Sequence, residues 1–329
     1  MSSTTGADTP LPAALSLRGY GDALPEAVEV SALVGAEALA RARYANWPRV
    51  RRAGPSLLPS ELALGALRAA LADAAVAPEE VALLVACAPI RDRPPPWSLS
   101  TQLLGALGLP PTAVGLDLDV GCVGLAAALE LAQGWLSARG GLGLLVAAER
   151  VTSEVALLAP EADRLWHWSD GAAAIVVGEG QGEGARYVTS AFRTLAAYND
   201  LVIRPHGGAA SPVASVNHFE VKAVNRTSLA VGISREVKAT VAQLRARTGV
   251  EAFDWVVASQ TGPLAIDFFA TVGGVARERV VVTGAEHGHV GGADLVLGLA
   301  ELKRRGAKGQ VLLISIASPT FAASLVRLD

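Results

Sequence analysis

The chain has 329 residues, enough for two domains or one large duplicated unit, and 51% of them are apolar, so a sizeable core is expected rather than disorder. Charged residues make up 18%, the formal net charge is −3 and no basic stripe is present, which argues against nucleic acid as a partner. Two cysteines, Cys87 and Cys122, predict a reducing, cytoplasmic setting and no disulfide framework.

The opening MSSTTGADTPLP has no basic region followed by an apolar run, so no signal peptide is expected, and residues 1–11 are predicted to fray. Ala13–Gly21 is predicted as a strand and Ser31–Ala45 as a helix with Ser31 at its N-cap. A loop with Trp47, Arg49, Arg51 and Arg52 follows. Ser60–Ala74 places Leu and Ala at helical spacing after a Ser-Glu start, which predicts an amphipathic helix. Val81–Cys87, VALLVAC, is a continuous apolar run, as expected of a strand covered on both faces. The longest uncharged stretch, Pro94–Leu116, is interrupted by Pro94, Pro95, Pro96, Pro110 and Pro111, so no membrane contact is expected; it contains a predicted helix, Leu99–Leu107.

The stretch Leu116–Gln133, LDLDVGCVGLAAALELAQ, changes period at Gly121-Cys122. Residues before it alternate as a short strand does, and Val123 onward has the Ala/Leu content of a helix. A thiol at that junction sits at a helix N-terminus, where unpaired N–H groups and the helix dipole favour a thiolate and offer donors to an oxyanion. The same pattern also suits a small, buried, inert cysteine.

Gly143–Ala148 is predicted as a strand, and Trp166–Gly180, WHWSDGAAAIVVGEG, as another after Ser169-Asp170-Gly171. Residues 181–228 are polar and Gly-rich, and no element can be read in them. Beyond them come helix Leu229–Arg247, strand Asp254–Ser259, helix Pro263–Val272, strand Val280–Gly284, helix Val290–Arg304, and strands Val311–Ile316 and Phe321–Leu328. The element order of the first half recurs in the second, which predicts a duplication of roughly 150 residues per unit. Alternating strands and helices predict largely parallel sheets covered by helices, with ligands at strand carboxyl ends. Ser259 and His289 fall at such ends, and a pseudo-twofold relation brings Cys122 and His289 to one pocket.

GCVGLAAALELA resembles the nucleophile segment of β-ketoacyl-ACP synthase III (KAS III) enzymes of the thiolase-like superfamily. SELALGALRAALADAAVAPEEVALLVACAPI is similar to that family's first helix–strand unit, and WHWSDGAAAIVVGEG to its Gly-Asp-Gly-Ala strand. The resemblance covers about Ala13 to Asp329 and implies a duplicated α/β/α/β/α five-layer fold. It also implies two halves, 1–180 with the nucleophile and 181–329 with the histidine, and a homodimer that passes an acyl group through the cysteine. Condensing members use Cys, His and Asn; here the resemblance places Ser259, in VVASQTG, at the His position and His289, in AEHGHVGGADL, at the Asn position. The late loop Ile314–Thr320, ISIASPT, departs from the family's Gly-rich segment.

Decarboxylative condensation needs two neutral donors to hold a developing enolate, and Ser259 reaches less far than a histidine. An imidazole near a thiol can instead take its proton and later that of an alcohol or amine attacking the acyl-cysteine. The expected function is therefore acyl transfer to an oxygen or nitrogen acceptor, with Cys122 and His289 as catalytic residues and Ser259 in contact with substrate; resemblance to the KAS III-like proteins that acylate oxygen implies a place in natural-product biosynthesis. Carbon–carbon condensation and a non-catalytic partner subunit are the alternatives.

Asp294, Asp267 and Glu286 are candidates to orient His289, and none is singled out; His287 is an alternative partner for the thiol. His167, His206 and His218 are expected at surface or core positions, and Cys87 as structural. By resemblance, Trp47 and Arg51 match a Trp-x-x-x-Arg pattern that clamps coenzyme A or a phosphopantetheine arm, Arg51 and Arg52 face an acidic carrier protein, and Trp97 lies at the dimer interface. The expected partners are acyl carrier protein or acyl-CoA and a small-molecule acceptor. No metal-ligand spacing or dinucleotide loop is present, so no metal and no cofactor beyond the substrate's own CoA or phosphopantetheine carrier is expected.

Overall fold

Apolar runs with no polar face need cover on both sides, and that requirement sets the layering. In the computed structural model, residues 11–159, 162–180, 184–206, 218–317 and 319–329 are described. The predicted frayed tail therefore lies outside the described residues except for Leu11, as does part of 181–228. The first half runs β1 (Leu15–Ala23), α1 (Pro59–Ala74), β2 (Val81–Cys87), α2 (Leu99–Leu107), β3 (Val114–Leu118), α3 (Gly124–Arg139), β4 (Leu142–Glu149) and β5 (Gly171–Glu179). The second runs β6 (Ala185–Thr194), α4 (Arg226–Thr248), β7 (Trp255–Ala258), α5 (Ala265–Gly273), β8 (Val280–Val281), α6 (Ala293–Arg304), β9 (Gly309–Ile316) and β10 (Thr320–Leu328).

The strand order is β8-β7-β9-β10-β6-β1-β5-β4-β2-β3, so β3-β2-β4-β5-β1 of one half is repeated as β8-β7-β9-β10-β6 of the other. The halves join where Leu15–Leu17 pairs antiparallel with Ala185–Tyr187. Only three strands of each half are parallel, β3-β2-β4 and β8-β7-β9; the other two run antiparallel, a correction to the expectation of largely parallel sheets. The reason lies in the connections: β4 to β5 and β9 to β10 have no crossover helix, and a strand that returns without one runs back on its neighbour.

Burial along β2 alternates between two cores. Leu83, Val85 and Cys87 face a central cluster with α3 and α6, whereas Leu84 and Ala86 face an outer cluster with α1 and α2. The second half repeats this, with Val257 toward the centre and Val256 and Ala258 toward α4 and α5. The result is a five-layer α/β/α/β/α sandwich whose central helices, α3 and α6, are covered on each side by one half of the ten-stranded sheet. Leu125, Leu129, Leu136 and Leu302 are fully buried there, each contributing about 2 kcal/mol of transfer free energy.

Two predicted elements differ. The helix expected over Ser31–Ala45 is two short turns, Val30–Val34 and Ala36–Ala40, broken at Gly35, whose φ of 82° no right-handed helix contains; the N-cap is Glu29 rather than Ser31. Within 181–228, where no element was expected, β6 and the ribbon Val202–Ile203 with Glu220–Val221 are formed. Among the described residues, no helix is long and apolar enough to cross a membrane.

Candidate active site

Both edge strands end at the same wall of the molecule. After β3 the chain turns through Gly121, with φ 58°, into a single 3-10 turn, Gly121–Val123, that leads directly into α3. Cys122 is thereby held at the N-terminal end of a 16-residue helix, half-buried, with its carbonyl accepting from Ser315 Oγ at 2.7 Å. After β8 the chain makes a short helix, Gly284–His287, then Gly288, His289 and the Val290-Gly291-Gly292 turn into α6. His289 is fixed by its own backbone: its N–H donates to His167 O at 2.7 Å and its carbonyl accepts from Ser169 N at 2.9 Å.

Cys122 Sγ lies 3.4 Å from His289 Nε2, and His289 Nδ1 lies 2.5 Å from Asp294 Oδ2. Asp294 sits in the first turn of α6, 1% exposed, and is the residue that sequence reasoning left unchosen among three. Asp267 is an exposed partner of Arg277 and Glu286 is 77% exposed, so neither reaches the ring. Asp294 also accepts from Gln260 N at 2.7 Å and Val290 N at 2.8 Å, which locks the carboxylate against rotation. The signal available in the sequence was position: an aspartate in the first helical turn, beside a predicted strand-end histidine.

Burial by itself would lower the basicity of His289, but the adjacent Asp294 carboxylate and Cys122 sulfur outweigh it and hold the ring well above an ordinary histidine. The ring is thus held toward its protonated form, with Nε2 3.4 Å from the sulfur. His167 stacks on His289 with centroids 5.7 Å apart, and burial together with the His289 charge pushes it down to about 3, so it packs as a neutral ring.

The pair opens into a cavity of about 180 Å³. Pro89, Val151, Val202 and Phe219 form much of its apolar wall, and Trp168 packs edge-on against Phe219. Glu149, at the end of β4, also lines it, a functional candidate that no sequence motif signalled. Burial pushes its carboxyl up to about 8, although His289 and the Gly292 N–H act in the opposite direction.

The other predicted site residues stand elsewhere. Ser259 is not among the residues lining this cavity; it is buried, and its Oγ accepts from Ile316 N at 3.1 Å, fastening β7 to β9. Trp47 is buried as well, packed on Gly284 with its indole N–H donating to Gln260 O at 2.6 Å, so its ring is not presented to an adenine. Arg51 donates to Pro25 O at 3.0 Å and lies 2.9 Å from His287 Nδ1; His287 is therefore turned to Arg51 and not to the thiol. Arg52 donates to the Thr152 carbonyl at 2.9 Å. Trp97 packs at the outer face beside α2, away from the cavity. Gln260 is a hub that the sequence did not reveal: its Oε1 accepts from Gly284 N at 2.9 Å and its Nε2 donates to Ala258 O at 2.7 Å, joining the ends of β7 and β8 to Asp294.

Gly291 has φ 55°, and a Cβ there would stand 2.0 Å from Glu149 Oε1. Gly291→Ala is expected to destabilise the fold by about 2–3 kcal/mol, from the left-handed backbone and the clash together. A thermal melt would show it as a fall of several degrees; an unchanged midpoint would contradict it.

A model of the family described as 3-oxoacyl-acyl-carrier-protein (ACP) synthase III C terminal matches residues 244–327. The β-ketoacyl-acyl-carrier-protein synthase III of Rhodospirillum rubrum is 29% identical over 279 residues, 82% of this chain and 84% of that protein. That of Cereibacter sphaeroides is 29% identical over 311 residues, covering 88% and 90%. Among solved structures, Xanthomonas campestris OleA superposes with TM-score 0.82 at 19% identity, covering 97% of this chain and all of that one. FabH from Pseudomonas aeruginosa gives 0.81 at 22% identity, covering 96% and 98%. The fold these structures share with the chain is thiolase-like. Within that class, the chain is similar to the KAS III enzymes over most of its length.

Proposed function

We propose that this protein is an acyltransferase that takes an acyl group from an acyl carrier protein or coenzyme A onto Cys122 and delivers it to an oxygen or nitrogen acceptor. The observation that carries this reading is the Cys122–His289–Asp294 chain, in which a carboxylate orients and charges a ring in reach of the sulfur. That is the arrangement of a nucleophile with its base. The Cys122 sulfur attacks the thioester carbon, and the helix N-terminus faces the oxyanion formed. As the carbon–sulfur bond to the carrier breaks, the His289 imidazolium gives its proton to the departing carrier thiolate. Acylation also removes the sulfur's charge, one of the two attractions that keep His289 protonated, so the ring is released as a base. It then takes the proton of the acceptor hydroxyl or amine as that atom attacks the acyl carbon. Collapse returns the electron pair to the Cys122 sulfur, restoring thiolate and imidazolium. We further propose that the chain acts as a homodimer, since β3 and β8 are the edges of the sheet and a bare edge invites a partner strand.

Incubation with acyl thioesters followed by intact mass measurement is expected to show an acyl adduct on wild type that is missing in Cys122→Ala. The absence of any such difference would overturn transfer through this cysteine. Condensation is the second reading, favoured by the names of the relatives, which are synthases. It releases carbon dioxide from a malonyl thioester, which transfer to a heteroatom does not.

A further inference from the structure

The cavity above Cys122 is small and mostly apolar, yet a carboxyl group is built into its wall. About 180 Å³ holds roughly six water-sized units, room beside the sulfur for a short acyl portion. Cys122 and His289 are both committed to the transfer. Glu149 is not: its Oε1 accepts one long hydrogen bond, 3.3 Å from Gly292 N, and Oε2 has no hydrogen-bond partner among the described residues. The residue is 3% exposed, so the group is shielded from bulk water but open to a ligand.

Resting on the acyl-transfer reading, we propose that Glu149 is a specificity-determining residue that donates a hydrogen bond to an oxygen on the acyl chain, so that the preferred substrate is a short acyl group with a ketone or similar acceptor a few carbons from the thioester. A buried carboxyl has the required form. It keeps its proton because burial disfavours the anion, and it is pushed up to about 8. The groups that bear on it are His289, which favours ionisation, and Asp294 and Asp170, which oppose it. Asp294 is held by His289, Gln260 N and Val290 N, whereas burial favours the neutral form of Glu149, so two carboxyls near one pocket have separate tasks. With a purely hydrocarbon chain in the cavity, the Glu149 hydroxyl is left without a partner, and a site built to bond an oxygen disfavours the analogue that lacks it.

The test compares acylation rates for pantetheine thioesters matched in shape: 3-oxobutanoyl with 3-methylbutanoyl, and 4-oxopentanoyl with 4-methylpentanoyl. Wild type is expected to prefer the ketone by about tenfold or more in at least one pair at pH 6.5. That ratio should shrink as pH rises through 8 and the donor proton is lost. Changes in the Cys122–His289 pair act equally on both members and cancel. Glu149→Gln keeps a donor and should retain a preference that no longer varies with pH; Glu149→Leu should reverse it. Equal rates within both pairs, or a preference that survives in Glu149→Leu, would overturn this role while leaving the transfer reading intact. Failure of every thioester to acylate Cys122 would overturn both. Should the leucine variant not fold, the pH dependence of wild type against Glu149→Gln decides.

Discussion

Asp294→Asn should lower the rate of acyl transfer by about 10³- to 10⁴-fold, the scale seen when the carboxylate of a nucleophile–histidine–carboxylate triad becomes an amide. The geometry gives the reason. The two oxygens of Asp294 accept from Val290 N, Gln260 N and His289 Nδ1, and all three partners are donors. An asparagine can offer only one oxygen. If its oxygen stays on Val290, its amide faces His289, and the ring must accept there through Nδ1. The ring proton then sits on Nε2, pointing at Cys122, and the imidazole can no longer act as a base toward it. The charge that holds His289 protonated is also gone, so the alkaline limb of the acylation profile should move to lower pH than in wild type. Rates measured from pH 6 to 10 on both proteins test this. A variant within tenfold of wild type, with the limb unmoved, would show that Asp294 does not govern the ring.

His289→Asn should lower transfer by about 10²- to 10⁴-fold, because an amide neither carries nor accepts the proton that the acceptor must lose. This substitution puts back the side chain that the family resemblance assigns to condensing members, and so separates the two chemistries. Condensation still lacks a second donor in this variant, since Ser259 is not among the residues lining the cavity. No carbon dioxide is therefore expected from a malonyl thioester. Wild-type rates in the variant, or a gain of decarboxylation, would refute the assignment of His289 as base.

What the sequence disclosed follows from where each side chain's surroundings come from. The strand Val81–Cys87 was legible because burial on both faces leaves an unbroken apolar run. The Cys122 turn was legible because Gly121 interrupts two different periods. β6 was not legible: its core-facing Tyr187 hydrogen-bonds Ser190, and Ser190 hydrogen-bonds Ser324 of β10, each at 2.7 Å, so polar letters that suggest a loop are satisfied by a partner far along the chain. The same blindness to distant partners explains the site. The junction positions of Cys122 and His289 can be read locally. That Asp294 turns inward is decided by the Gln260 N–H from another strand, and that Glu149 keeps its proton is decided by burial from every side. The roles of Trp47 and Arg51 rest on resemblance to a Trp-x-x-x-Arg pattern, which says nothing of whether the ring is packed beneath the surface.

The repeat of one strand order in both halves has a consequence for how the molecule can fail. The sulfur leaves the end of β3 and the imidazole follows the end of β8, equivalent stations of two copies of one plan. Each copy supplies one half of a proton-sharing pair, and neither has a use for its contribution alone. A slip of the seam between β1 and β6 by even a fraction of the 3.4 Å that separates the two atoms would silence the protein while leaving both halves folded.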